Sequence, residues 1–203
     1  MKAKCLMLDV DGVLVFGRPS DGQHWMVGLK DDLGIVPRDI SRTFFRAEWN
    51  SVFEGGMDLI PALQRGLDEL EADVRPEDFV SYWFENSSRV VEPVLADVRR
   101  AREQGIPVYL ATNQCYERAD HLLNSVGLAN EIDGIVHSAM AGFQKPHPGF
   151  YSFVEQKTGY CPEDLLMVDD KLESVEAAKV AGWQAVHWAA GDNLSAILQR
   201  GIG

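Results

Sequence analysis

Apolar and polar positions divide this chain into two kinds of territory. Near the start, Cys5-Leu6-Met7-Leu8 runs straight into Asp9-Val10-Asp11-Gly12, an unbroken apolar stretch closed by two carboxylates and a glycine. Such a run predicts a strand buried on both faces, as in a parallel sheet. After residue 90 strand and helix patterns alternate. Pro93 suits the first turn of a helix that passes Leu95, Val98 and Ala101 and stops at Gly105. Ile106 to Ala111 predicts a strand ending at Thr112, followed by a helix from Tyr116 to Val126 with Gly127 at its end. Ile132 to His137, Leu165 to Val168 and Ala185 to Trp188 predict further strands. Between them lie helices from Pro148 to Gly159 and around Val175, Ala178 and Ala181; a terminal helix follows. Residues 17 to 89 contain no buried-strand pattern. Pro37, Pro61 and Pro76 each suit the start of a helix, carrying Phe44, Phe45 and Trp49, then Leu63, Leu67 and Leu70, then Phe79, Val80, Trp83 and Phe84. The predicted fold is α/β: a parallel sheet covered by helices, formed by residues 1–16 and 90–203, with an all-helical insertion at 17–89 placed as a lid.

Composition narrows the classes. The 203 residues suffice for a substantial core, and no apolar run approaches the roughly 20 residues of a membrane helix. The short apolar run after the two N-terminal lysines ends in acids, which argues against a signal peptide and for a cytoplasmic protein. A net charge of -12 argues against a nucleic-acid or anionic-membrane binder, since both reward clustered Lys and Arg. It leaves a phosphorylated small molecule open, because a metal and a few donors invert the field locally. Cys5, Cys115 and Cys161 form no CxxC, so neither a disulfide framework nor a zinc site is expected. Cys115 is the one near candidate chemistry.

Four polar clusters fall at strand ends or just beyond them: Asp9 with Asp11, Thr112 with Asn113, Lys145 before Pro146, and Asp169 with Asp170. In an open parallel sheet that edge is where ligands bind. Two acids crowded at one strand end are costly without positive charge between them. A divalent cation and a phosphate meet that need. Carboxylates at two strand ends suit Mg²⁺. Thr112, backbone amides and Lys145 suit the phosphoryl oxygens. One carboxylate can attack phosphorus, and a second can protonate the leaving oxygen and later activate water.

The order and content of these clusters resemble the haloacid dehalogenase (HAD) superfamily: DxD in Asp9-Val10-Asp11, the strand-terminal Thr112 followed by Asn113, Lys145-Pro146, and the acidic pair Asp169-Asp170. The resemblance implies a Rossmann-like core with a cap inserted after the first motif. It implies Asp9 as nucleophile and Mg²⁺ ligand, and Asp11 as general acid/base whose backbone carbonyl also meets the metal. Thr112 and Asn113 would lie at the phosphoryl group. Lys145 would bridge nucleophile and phosphate. Asp170 would be the direct metal ligand, with Asp169 behind it. An acid at Asp11 separates phosphoester chemistry from carbon–halogen and carbon–phosphorus cleavage, for which relatives lack it. Ser174 and His147 depart from the Asn and Asp common at these places.

Substrate choice in the superfamily lies largely in the cap. Candidates are Arg18, His24, Arg46, Trp49, Asn50 and Glu54, with Arg46 and Trp49 an i, i+3 pair able to offer a cation and a stacking face. The short helical cap, with Phe53-Glu54-Gly55-Gly56 at a mid-cap turn, resembles members acting on sugar phosphates. The reading is a Mg²⁺-dependent phosphatase of a small phosphorylated metabolite, with no nucleic-acid or membrane partner. A phosphomutase sharing every core residue, and a non-catalytic ligand-binding member, are the alternatives.

Overall fold

The structure, a computed structural model, describes residues 3–201. Five parallel strands form one sheet: β1 (Cys5–Leu8), β2 (Val108–Thr112), β3 (Gly134–His137), β4 (Leu165–Asp169) and β5 (Gln184–His187). Their order is β3-β2-β1-β4-β5. β1 is central: Leu8 lies level with Leu110 of β2 and Val168 of β4. Both faces are covered, which explains the continuous apolar runs. Leu6 and Leu8 point into one core layer with Leu110 and Val168, while Cys5 and Met7 point into the other with Ala111 and Met167.

The helices are α1 (Leu29–Leu33), α2 (Pro37–Ile40), α3 (Trp49–Phe53), α4 (Leu59–Glu69), α5 (Pro76–Asn86), α6 (Glu92–Glu103), α7 (Tyr116–Asp120), α8 (Ser138–Ala141), α9 (Pro148–Thr158), α10 (Leu172–Val180) and α11 (Leu194–Gly201). Helices α6 and α11 lie on the Leu6–Leu8 side, and α9 and α10 on the other. No strand occurs between β1 and β2 among the described residues. The helices α1 to α5 there share a core of their own, built on Trp25, Phe44, Phe53, Leu63, Phe79 and Trp83.

Two segments differ from the periodic reading. The helix expected from Pro37 through Trp49 is broken: α2 opens into a wider turn at Ser41–Phe45, and α3 begins at Trp49. Ser41 Oγ bonds back to the Pro37 carbonyl at 2.6 Å and Thr43 Oγ1 to that of Asp39 at 3.2 Å, a competition that loosens helices. The helix expected over Tyr116–Val126 likewise passes from α7 into a wide turn at His121–Ser125. Pro61 sits inside the first turn of α4 rather than opening it, where its missing N–H has no helical partner to lose.

The helical layer rests on the sheet layer at defined places. Gly55 (φ +71°) brings its Cα so near the Ala139 carbonyl that a Cβ would lie 2.4 Å from that oxygen. Glu117 of α7 accepts the Leu59 amide at 3.3 Å, capping α4 from outside because Asp58 makes no side-chain cap of its own. Gln144, beside Lys145, accepts from Trp49 Nε1 at 3.1 Å and donates to Asn50 and Glu54.

Candidate active site

The C-terminal ends of β1 and β4 adjoin at the point where successive connections diverge to opposite sides of β1, the place where open α/β sheets bind ligands. Asp9 leaves β1 there, and Asp169 ends β4. Lys145 is buried between them: its Nζ lies 3.0 Å from Asp9 Oδ1, 2.6 Å from Asp169 Oδ2 and 2.7 Å from the Ala111 carbonyl. All three ammonium donors are engaged. Burial opposes its charge, but Asp9 and Asp169 outweigh burial and hold the lysine above its ordinary range.

Asp9 Oδ1 also accepts the Val10 amide at 2.8 Å, while Oδ2 takes no hydrogen bond from the described residues. Burial pushes the Asp9 carboxyl up to about 6, against the pull of Lys145. Asp11 turns into a cavity of about 470 Å³ between sheet and helical layer. There Gln114 Nε2 donates to its Oδ2 at 2.5 Å, and Arg118 Nη2 lies 3.9 Å from its Oδ1. Its side chain is more than half exposed, open to the cavity, yet desolvation by the surrounding protein raises its carboxyl above the ordinary range, with Arg118 and Gln114 opposing.

The acidic pair divides its work. Asp169 has both oxygens occupied, by Lys145 and by the Lys171 amide at 2.7 Å. Asp170 Oδ2 meets Lys171 Nζ at 3.0 Å, and its Oδ1 is buried with no partner among the described residues. Oxygens of Asp9, Asp169 and Asp170 lie within 4.8 Å of one another. An unpartnered buried carboxylate oxygen beside two other carboxylates is a hard, anionic donor set that fits a divalent cation. Gly12 (φ +87°) permits this arrangement, since a Cβ there would lie 2.6 Å from Asp170 Oδ2.

Thr112 is buried at the end of β2. Asn113 spends its side-chain amide on Lys145, accepting its backbone N–H at 2.8 Å and donating to its carbonyl at 3.0 Å, while also lining the cavity.

A family model described as a haloacid dehalogenase-like hydrolase matches residues 3–182. The chain belongs to this family. It is 29% identical over 198 residues to a phosphoglycolate phosphatase of Pseudomonas putida, covering 94% of this chain and 71% of that protein. It is 33% identical over 90 residues to the sesquiterpene phosphatase astK of Aspergillus oryzae, covering 44% of this chain and 46% of that one. A HAD family enzyme of Bacteroides thetaiotaomicron, solved with magnesium and inorganic phosphate, superposes with TM-score 0.75 at 16% identity, over 96% of this chain and 98% of that one. The L-2-haloacid dehalogenase of Xanthobacter autotrophicus superposes at 0.67 with 17% identity, over 97% and 81%. At those identities the structures establish the shared fold.

Mg²⁺ is the cofactor of phosphatases in this HAD family, and the donors around Asp170 Oδ1 fit it. Gln114 and Arg118 are the site residues that sequence reasoning missed. Arg118 is a fully buried arginine, bonded to Ser88 Oγ at 2.9 Å and to the Ser87 carbonyl, and standing over the Phe84 ring. Nothing in a lone helical arginine signals burial.

Some candidates lie elsewhere. Arg46 is exposed and lines no part of the cavity, unlike Trp49, which begins α3 after the wide turn at Ser41–Phe45. Arg18 pairs with Asp21. His147 caps α9 through the Gly149 amide at 3.0 Å and stacks on Phe143. Ser174 is buried at the start of α10, its carbonyl accepting from Tyr151 at 2.8 Å. Cys115 is packed in the helical core, and burial pushes its thiol up to about 12, which keeps it protonated. Among the described residues no helix is long and apolar enough to cross a membrane.

Proposed function

We propose that this chain hydrolyses the phosphate monoester of a small metabolite through a phosphoryl group carried on Asp9, with residues 17–89 acting as a cap over a core of residues 1–16 and 90–203. Membership of the HAD-like hydrolases and the phosphatase-named relatives support a phosphoric monoester hydrolase. The carrying observation is the pinned carboxylate: Lys145 holds Asp9 Oδ1 at 3.0 Å and leaves Oδ2 unbonded, two residues before an Asp11 that faces the cavity.

In this reading Asp9 Oδ2 attacks phosphorus and the bond from phosphorus to the substrate's ester oxygen breaks. Asp11, protonated beforehand, gives its proton to that oxygen, so a neutral alcohol leaves. Asp11 then takes a proton from a water that attacks the phosphoryl-Asp9. The bond to Asp9 breaks and inorganic phosphate departs. Gln114 and Arg118 aim the Asp11 carboxyl through both steps, and Asn113 fixes the loop that delivers Lys145. Lys145 keeps Asp9 ionised and offsets its charge. Thr112, at the adjoining strand end, contributes to the phosphoryl site. Asp9, the Asp11 backbone carbonyl and Asp170 would hold Mg²⁺, with Asp169 orienting Lys145 behind them. When bound, Mg²⁺ supplies the positive charge that phosphoryl oxygens and crowded carboxylates both require.

The test is phosphate release from a panel of metabolite monophosphates with Mg²⁺, after EDTA, and after Mg²⁺ is restored. Release that EDTA stops and Mg²⁺ restores is the expected result. Release from Asp9→Asn at the wild-type rate would refute the covalent route.

A further inference from the structure

The cavity is divided by polarity. Its floor, from the sheet layer, carries the charged and polar side chains Asp11, Asn113, Gln114, Arg118, Asp170 and Lys171, with Val15 and Phe16 beside them. Its roof is carried by Trp25, Met26, Phe45, Trp49, Phe53 and Trp83. The rings brace one another: Trp49 lies flat on Phe53 at 3.7 Å, Phe45 meets Trp83 edge-on at 5.1 Å, and Trp25 stacks on Trp83 at 5.7 Å. Such a wall is rigid and offers area rather than hydrogen bonds.

The polar side chains the roof does contain are His24 and Ser87. His24 Nδ1 already accepts the Met26 amide. Trp49 Nε1 is committed to Gln144. No charged side chain of the helical layer lines the cavity. A sugar, the substrate class that the short cap suggests, brings several hydroxyls. Each one desolvated without a partner weakens binding. A hydrocarbon body loses nothing there and gains from burial. About 470 Å³ is room for a small ligand.

We infer that the alcohol released by this enzyme is apolar, so that its substrates are phosphate monoesters of aliphatic or aromatic hydrocarbon alcohols, the phosphate on the charged floor and the hydrocarbon against the Trp49–Phe53 wall. This rests on the phosphatase reading above. The hydrolysis is the same, water and monoester giving alcohol and phosphate.

The test is a series of n-alkyl phosphates from ethyl to octyl at saturating Mg²⁺, with glucose 6-phosphate and phosphoglycolate alongside. Leaving-group basicity is nearly constant along the series, so a trend reports burial. The expected result is a kcat/KM that climbs about fourfold per methylene until the cavity is filled, well above both polar substrates. Trp49→Ala should lower the octyl-to-ethyl ratio of kcat/KM, and Trp49→Phe should keep it. Should Trp49→Ala fail to fold, the wild-type series alone decides. A flat series, or hydrolysis of glucose 6-phosphate or phosphoglycolate as efficient as that of octyl phosphate, would overturn the inference and leave the phosphatase reading standing. Release from none of these esters would overturn both.

Discussion

Gln114 reaches from the loop after β2 to donate a 2.5 Å hydrogen bond to Asp11, the acid that follows β1. The bond fixes the carboxyl in the cavity, and Arg118, one helical turn on, supplies charge behind it. Gln114→Ala should therefore lower kcat while changing KM little. A hydrogen bond to a charged group is worth about 1.5–3 kcal/mol, so the loss should be roughly tenfold to a hundredfold. Steady-state kinetics check it. An equal rise in KM with kcat untouched would place Gln114 in substrate binding instead.

Asp9→Asn should reduce phosphate release to background with the fold retained, because the amide keeps the shape but is a poor nucleophile. Phosphate assay and circular dichroism on the same preparation decide it.

Lys145→Met should remove the ammonium that bridges Asp9 and Asp169 and leave two buried carboxylates facing each other. Breaking a buried ion pair from one side costs about 3–5 kcal/mol. Urea unfolding at pH 7 should show that loss. Adding Asp169→Asn should return part of it by removing one of the stranded charges.

Gly12→Ala would press a methyl group on the Asp170 carboxylate. Disturbing the groups that orient metal ligands costs roughly tenfold to a hundredfold in metal affinity, and Asp170 is a proposed ligand. The Mg²⁺ concentration for half-maximal activity should rise accordingly, while activity at high Mg²⁺ recovers.

Asp133 ties the entrance of β2 to α6, accepting the Val108 amide at 2.8 Å and both Arg102 nitrogens at 3.1 Å. Burial acts against its charge, but Arg102 and the amide outweigh it and hold the carboxyl below the ordinary carboxylate range. A lowered folded value means that this stabilisation is complete above the unfolded value near 3.9 and fades as pH falls through the folded one. Asp133→Ala should cost about 1 kcal/mol at pH 7. In thermal melts the gap to wild type should narrow below about pH 4.

The strand ends were legible because their signals are local. An apolar run followed by Asp9, Thr112 or Asp169 specifies both a buried strand and the polar residue that leaves it. Parallel pairing then places those ends along one edge, while Lys145 reaches that edge from the loop before α9 and was singled out by its resemblance to the family's lysine motif. Gln114 and Arg118 were not legible. A glutamine in a turn and an arginine on a helix read as solvated until a second layer covers them, and that layer is the return from α5 at Ser87 and Ser88.

The roles of Arg46 and Trp49 show the same boundary. Their spacing placed them on one helix face, but the wide turn at Ser41–Phe45 ended that helix and began another at Trp49. The amino-acid sequence by itself determined the parallel sheet, the helical insertion and the polar residues at the strand ends, because these follow from local periodicity and chain order. Only the tertiary structure decided which side chains meet Asp11, which oxygen of the acidic pair is left without a partner among the described residues, and that the roof above them is aromatic. Those properties arise from contacts between segments far apart in the chain, where burial sets the chemistry.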